Sequence, residues 1–204
     1  ARDQLNKACN EYMKKIKTLF ILFIAVTMLS SCGYNSMVEL EENSITQWAN
    51  VESSYQRRAD LIPNLVNTVK GYAEHEKETL TAVMEARAKA TSVNIDASKL
   101  TAESIQKFQA AQSGISGALG KLMMVSERYP DLKANQNFLE LQAQLEGTEN
   151  RINVERNKYN ESVGNFNKTI KKFPNNMFNA MYGFEPRVRF EADAGSGKAP
   201  TVEF

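Results

Sequence analysis

The sequence predicts an all-α protein: an antiparallel four-helix bundle with long helices and an extended C-terminal tail. Three observations lead there. Between Asn35 and Lys172 there are only two prolines, Pro63 and Pro130. The apolar residues of that stretch recur at three- and four-residue spacing, the period of one helix face, and no alternating strand pattern of useful length occurs. The connections between the periodic segments are short, so consecutive helices return beside one another. A chain of 204 residues is long enough for one such domain with a real core, plus appendages.

The N-terminus reads as an address and an anchor. The basic segment Met13-Lys14-Lys15-Ile16-Lys17 leads into the apolar run Leu19–Leu29, which ends in Ser30-Ser31-Cys32-Gly33. A basic start, a short apolar middle and small residues at the end describe a secretory signal. The run is too short for a bilayer-spanning helix, which needs about 20 residues. Leu29-Ser30-Ser31-Cys32 resembles the lipobox of bacterial lipoproteins, whose cysteine is acylated and becomes the new N-terminus. This gives a signal peptide over 13–31, a lipidated anchor over 32–34 with Cys32 as the acylated residue, and a segment 1–12 read as an upstream extension outside the native protein. Stable anchoring requires more than one acyl chain, as the multiply acylated cysteine of this class provides.

The body, residues 35–182, is expected to be the bundle. Its first helix carries Met37, Leu40, Ile45, Trp48, Val51 and Tyr55. Pro63 follows, inside Arg57-Arg58-Ala59-Asp60-Leu61-Ile62-Pro63-Asn64-Leu65-Val66. An interior proline removes a backbone donor and costs about 3 kcal/mol, so a kink or a break is expected there, with a second helix running on through Val69 and Tyr72 to Leu80, Val83 and Met84. A third helix is predicted to start at Thr101 as N-cap, to carry Ile105, Phe108, Gln112, Ile115, Leu119 and Leu122, and to end at Tyr129-Pro130. The fourth carries Phe138, Leu141, Leu145, Thr148 and Ile152, then Tyr159, Val163, Phe166, Ile170 and Phe173. Between these two sets one extra step of four places Arg156 on the apolar seam, a stutter. A buried Arg156 needs an anionic partner, with Asp60, Glu52 and Glu127 as candidates. After Pro174 a short piece, Asn175 to Tyr182, is expected to fold back on the bundle, and the tail 183–204 to be extended and mobile.

Charge and composition exclude several functions. Of 25 basic and 24 acidic residues, five basic and two acidic ones precede Cys32, leaving a net charge near −2 for the remainder. With both signs interspersed, that offers no footprint for nucleic acid. Both cysteines, Cys9 and Cys32, are N-terminal and suggest no disulfide framework. The single histidine, His75, lacks the second histidine of a zinc protease helix, since the position that would hold it is Thr79. No metal site, cofactor or small-molecule substrate is predicted. Gly114-Ile115-Ser116-Gly117-Ala118-Leu119-Gly120-Lys121 fails as a phosphate loop, because the first required glycine is Ile115 and Lys121 is followed by Leu122. Its three glycines are expected to let a neighbour approach closely. Asn153, Asn160 and Asn167 recur every seven residues, a solvated face or a register-setting polar stripe.

Several blocks of specified residues resemble the LemA family. They are Trp48; the decamer Arg57–Val66; Tyr72-Ala73-x-His75-Glu76; Glu127-x-Tyr129-Pro130-x-Leu132-Lys133-Ala134-Asn135; Phe138; Leu141-Gln142; Leu145-Glu146-x-Thr148-Glu149-x-Arg151-Ile152; Arg156; Tyr159-Asn160; Asn167; and Phe173-Pro174. The match runs from about residue 35 to Phe204. The resemblance implies a four-helix, bromodomain-like up-and-down bundle held at a membrane by its N-terminus, with no assigned catalytic activity. The single N-terminal membrane helix usual in the family is here replaced by the lipoprotein signal. As structural or interaction candidates it singles out Trp48, Arg57, Arg58, Asp60, Pro63, Asn64, His75, Glu76, Glu127, Tyr129, Pro130, Glu149, Arg156, Tyr159, Asn160 and Asn167.

Together these readings describe a non-enzymatic, lipid-anchored envelope protein that acts as a helical scaffold or interaction module, binding other envelope proteins or itself. Gly33 after the cysteine favours the periplasmic face of the outer membrane. Two alternatives are a self-assembling membrane-shaping protein and a hydrolase using His75.

Overall fold

The computed structural model describes the backbone of residues 2–191 and the side chains of 12–21 and 33–191. Among the described residues every regular element is a helix: α1 Arg2–Lys70, α2 Lys77–Thr91, α3 Ala102–Ser126, α4 Pro130–Lys133, α5 Gln136–Lys171 and α6 Asn175–Tyr182. The all-α class is therefore observed. Cys32, like most of the apolar run before it, lies outside the described side chains. Among the described residues no helix is long and apolar enough to cross a membrane.

The helix ends follow local chemistry. Thr101 caps α3 as predicted: its hydroxyl accepts from Ser104 N at 3.1 Å, and Ser104 Oγ accepts from Thr101 N at 3.0 Å, a reciprocal capping box. Asn135 Oδ1 accepts from Phe138 N at 3.0 Å and so satisfies one of the free donors of α5. Gly183, at φ 75°, ends α6 in the left-handed conformation that glycine adopts without strain, with its N–H bonded to Asn179 O at 2.9 Å.

The break expected at Pro63 is not there. α1 passes through the proline, and the chain turns instead at Gly71–Glu76, where Ala73 N bonds Val69 O at 2.9 Å and Glu76 N bonds Ala73 O at 3.0 Å. Leu80 and Val83 thus belong to α2, a separate helix, and His75 sits on the turn instead of on a helix.

The chain forms two compact units. One comprises the residues up to Glu42 with Asn165–Pro186; its apolar cluster is Met37, Phe166 and Ile170, with Leu40, Tyr182 and Phe184 packed against it. The other comprises Asn43–Gly164 with the described residues from Arg187 onward. Its larger cluster joins Ile62, Leu65 and Val69 of α1 to Leu80 and Val83 of α2, Ile115 and Leu122 of α3, Leu132 of α4 and Phe138 of α5. Its second cluster is aromatic, built on Trp48, Tyr55, Phe108, Tyr159 and Phe190.

The stutter predicted for α5 is also absent. Thr148, Ile152, Glu155, Tyr159 and Ser162 are all buried and keep an unbroken alternation of three and four. The seam therefore passes through Glu155, not Arg156. Glu155 is reached by Lys158 Nζ at 3.1 Å. Gly114, Gly117 and Gly120 admit no close neighbour within the chain, since a Cβ on any of them would meet nothing within 4 Å.

Candidate functional site

The family-like decamer is where the larger unit concentrates its polar interior. Helical periodicity turns Arg58 inward with Tyr55, Ile62 and Leu65, and leaves Arg57, Asp60 and Asn64 in solvent. Arg58 is 2% exposed. Its Nη1 donates to Glu149 Oε2 at 2.7 Å and to Ser116 Oγ at 3.1 Å. Its Nη2 donates to Gln112 Oε1 at 2.8 Å and to Gln112 O at 3.1 Å, and the guanidinium lies 5.1 Å from the centre of the Tyr55 ring. A desolvated cation is tolerated only when its donors are matched, and these bonds match four of the five N–H groups. One side chain of α1 thereby ties α3 to α5. The buried arginine expected at 156 is thus Arg58, and its acid is Glu149; Asp60 accepts instead from Gln56 Nε2 at 2.8 Å on the surface.

The proline five residues on has its own compensation. Pro63 cannot donate to the carbonyl one turn earlier, which is Ala59 O. Ala59 is buried, so that acceptor is shielded from water. Arg87 of α2 fills the vacancy: its Nε donates to Ala59 O at 2.7 Å. The helix continues because a neighbouring helix supplies the missing donor. Nothing in the sequence around Arg87 marks it for this role.

A second polar knot joins the α1–α2 turn to the α3–α5 connection. Glu76 accepts from Tyr129 Oη at 3.2 Å and pairs with Arg128 Nη2 at 3.1 Å. Desolvation and then the Glu76 carboxylate push the Tyr129 phenol above its usual pKa. Asn135, besides capping α5, donates through Nδ2 to Tyr72 Oη at 2.8 Å. Pro130 opens α4 at a position where a missing donor costs little, and Glu127 pairs with Lys133 on the surface. His75 is exposed beside this knot.

The third constellation explains Trp48, Arg156, Tyr159 and Asn160. Residues 187–191 were expected to belong to a mobile tail, yet they lie across the aromatic cluster as a strap. Asn160 binds the backbone of Phe190 on both sides, Nδ2 to Phe190 O at 3.2 Å and Oδ1 from Phe190 N at 2.8 Å. Tyr159 Oη donates to Val188 O at 2.8 Å; Gln109 Nε2 and Arg156 Nη2 both donate to Glu191 O at 3.3 Å. The Phe190 ring stacks on Trp48 at 5.4 Å and meets Tyr159 edge-on at 5.4 Å, and the Arg156 guanidinium lies over the ring at 5.0 Å from its centre. Gly164 makes room, since a Cβ there would come within 2.6 Å of Arg189 Nη2. Burial pushes the Tyr159 phenol up to about 12. Glu52, one turn from Trp48, is raised by burial, an interaction with the Trp48 indole opposing this only in part. Glu52 borders a hollow of about 420 Å³ beside Tyr55, Ala90 and Phe108. Of the asparagine stripe, Asn153 is exposed, Asn160 grips the strap, and Asn167 is half-buried in the smaller unit.

The LemA family model matches residues 47–204, spanning all three constellations. The chain belongs to the LemA family. Its relatives include the magnetosome protein MamQ 2 of Paramagnetospirillum magneticum, 25% identical over 203 residues, covering 89% of this chain and 72% of the relative. The magnetosome protein MamQ of Magnetospirillum gryphiswaldense is 24% identical over 213 residues, covering 94% and 76%. Protein LemA of Metamycoplasma hominis is 27% identical over 155 residues, covering 76% and 67%. The LemA-like residues named from the sequence thus sort by location. Arg58, Glu76, Tyr129, Glu149, Tyr159 and Asn160 join segments, Pro63 frees the carbonyl that Arg87 reaches, and Arg57, Asp60, Asn64 and His75 face solvent.

Proposed function

We propose that this LemA-family chain is a non-enzymatic, membrane-anchored envelope lipoprotein, tethered through Cys32, whose helices form an antiparallel up-and-down bundle serving as a scaffold or protein-interaction module. The observation that carries the reading is how the polar family residues are used. Arg58 with Glu149, Glu76 with Tyr129, and Asn160 with Phe190 each bind one segment of the chain to another, which is the work of a rigid platform. The contacts of α1 also support the bundle order. Moving from Trp48 to Arg58, the partners on α3 advance from Phe108 to Gln112 and Ser116, while those on α5 retreat from Tyr159 to Glu149. On this reading 13–31 is the signal peptide, 32–34 the anchor and 35–182 the bundle, and the protein faces the periplasm from the outer membrane, with other envelope proteins or its own copies as partners.

The anchor is tested by growing cells with an alkyne-bearing fatty acid. The wild-type chain incorporates the label and floats with outer-membrane vesicles, and Cys32→Ala incorporates none. A chain that takes up no label yet stays in the membrane through an uncleaved Leu19–Leu29 segment overturns the lipoprotein reading.

A second reading, a self-assembling membrane-shaping protein, draws on the magnetosome proteins among the relatives. Lipidated protein that stays monomeric and leaves liposomes unchanged in electron micrographs disposes of it.

A further inference from the structure

The smaller unit carries an apolar stripe that the fold does not use. Phe173, Met177 and Met181 stand four residues apart and are 78%, 64% and 82% exposed. Met177 and Met181 lie one turn apart on α6 and share a face, and Phe173 stands in the turn between α5 and α6. The opposite side of α6 is fixed to the unit. Tyr182 packs on Tyr34 at 4.8 Å, and Asn179 bonds Phe184 in both directions at 3.0 and 3.1 Å. Asn175 Nδ2 donates to Thr169 O at 3.3 Å, and its Oδ1 lies 2.6 Å from where a Cβ on Gly33 would stand. Gly33 follows Cys32 in the chain. The segment that carries them is basic: from Asn165 to Gly183 the charged residues are Lys168, Lys171 and Lys172, with no acid among them, and all three are exposed.

We propose that the α5–α6 end of this unit, Met177 and Met181 of α6 with Phe173 and Lys172 of the turn and Lys168 and Lys171 of α5, contacts an anionic lipid surface, the apolar side chains entering the interfacial zone while the ammonium groups meet the headgroups. A helix with apolar side chains on one side takes up this position in a bilayer, buried about 5–10 Å at the headgroup boundary; the lysines here come from α5 and the turn that leads into α6. Here α6 is already folded and held by Tyr34, so no ordering cost opposes binding. Lysine attraction adds to apolar burial only where the lipid is acidic. The inference rests on the membrane-anchored reading, to which it adds a second contact beside the anchor, and it needs no acyl chain to be tested.

The test uses the full chain with Cys9→Ser and Cys32→Ser, so that it is unacylated. A single Met181→Cys carries an environment-sensitive fluorophore, and Met124→Cys on α3, 66% exposed in the wild type, serves as the control position. Vesicles of phosphatidylcholine alone or mixed with phosphatidylglycerol are titrated in. The expected result is a blue shift and protection from dithionite at position 181 on the acidic vesicles, no change at 124, and a much weaker response on phosphatidylcholine. Phe173→Ser with Met177→Ser is expected to raise the lipid concentration needed by roughly tenfold or more. Should that pair disturb α6 by circular dichroism, Lys171→Glu with Lys172→Glu, both at exposed positions, is expected to abolish the preference for acidic lipid. A chain that floats with vesicles while position 181 stays in water overturns the α6 contact and leaves anchoring untouched. A response indifferent to the lysine changes overturns it as well. Insertion at position 181 supports it even if the fatty-acid label fails to mark Cys32.

Discussion

Replacing Arg87 by Met tests whether a side chain from another helix makes the interior proline tolerable. Methionine keeps the apolar stem, which is half-buried, and removes only the donor. In the wild-type background Ala59 O would then be a buried acceptor without a partner, a loss of about 1–3 kcal/mol, and the bond removed is a short charge-assisted one of 2.7 Å. We expect Arg87→Met to cost about 2 kcal/mol. In a Pro63→Ala background the backbone N–H of residue 63 satisfies the same carbonyl, so the substitution is expected to cost about 0.5 kcal/mol, leaving a coupling of about 1.5 kcal/mol. Urea unfolding of the four chains of the cycle, followed by the fluorescence of the single tryptophan, Trp48, measures it. Equal costs in the two backgrounds would refute the compensation.

Arg58→Ala is expected to cost about 3 kcal/mol and Glu149→Ala about 1 kcal/mol by the same unfolding assay. Glu149 is half exposed, and Gln112 and Ser116 keep their hold on the guanidinium after it is gone. Phe190→Ala is expected to cost about 3 kcal/mol and Asn160→Ala about 1 kcal/mol, and both should speed amide exchange at residues 187–191 in mass spectrometry. Burial holds the Tyr159 proton in the folded chain up to about 12, against 10.0 for a free phenol. Its stabilisation is therefore intact below pH 10.0 and falls as the pH rises towards about 12. The loss is on the order of 2 kcal/mol. Tyr159→Phe is expected to flatten that part of the pH–stability curve.

The elements legible in the sequence are those whose signals are local. Thr101 announced the start of α3, Pro130 the end of the third helical segment, and the apolar spacing of Phe138 through Ile170 gave α5 nearly whole. The features that differ from the local pattern depend on partners distant in the chain. Pro63 looks like a breaker because its remedy, Arg87, belongs to another helix. The apolar spacing points to Arg156 because a count of apolar residues skips Glu155, a charged side chain that the regular period nevertheless buries. Residues 187–191 look like a tail because Val188 and Phe190 are their only apolar content, while the amide and hydroxyl groups that hold them sit on α3 and α5. The family motif pointed to the right side chains but not to their pairing: it marked Arg58 and Glu149 without indicating that they meet.

The strap also bears on the order in which the protein is made. Synthesis produces Trp48 and then Tyr159, and both rings wait for Phe190, which stacks on the first and meets the second edge-on. Late in translation the chain can already have every helix of the larger unit and still lack the ring that covers Trp48. A chain cut short before Arg187 thus exposes aromatic surface that a finished one hides. Proteases and chaperones that recognise exposed aromatic side chains can therefore tell an incomplete molecule from a complete one by inspecting a single site.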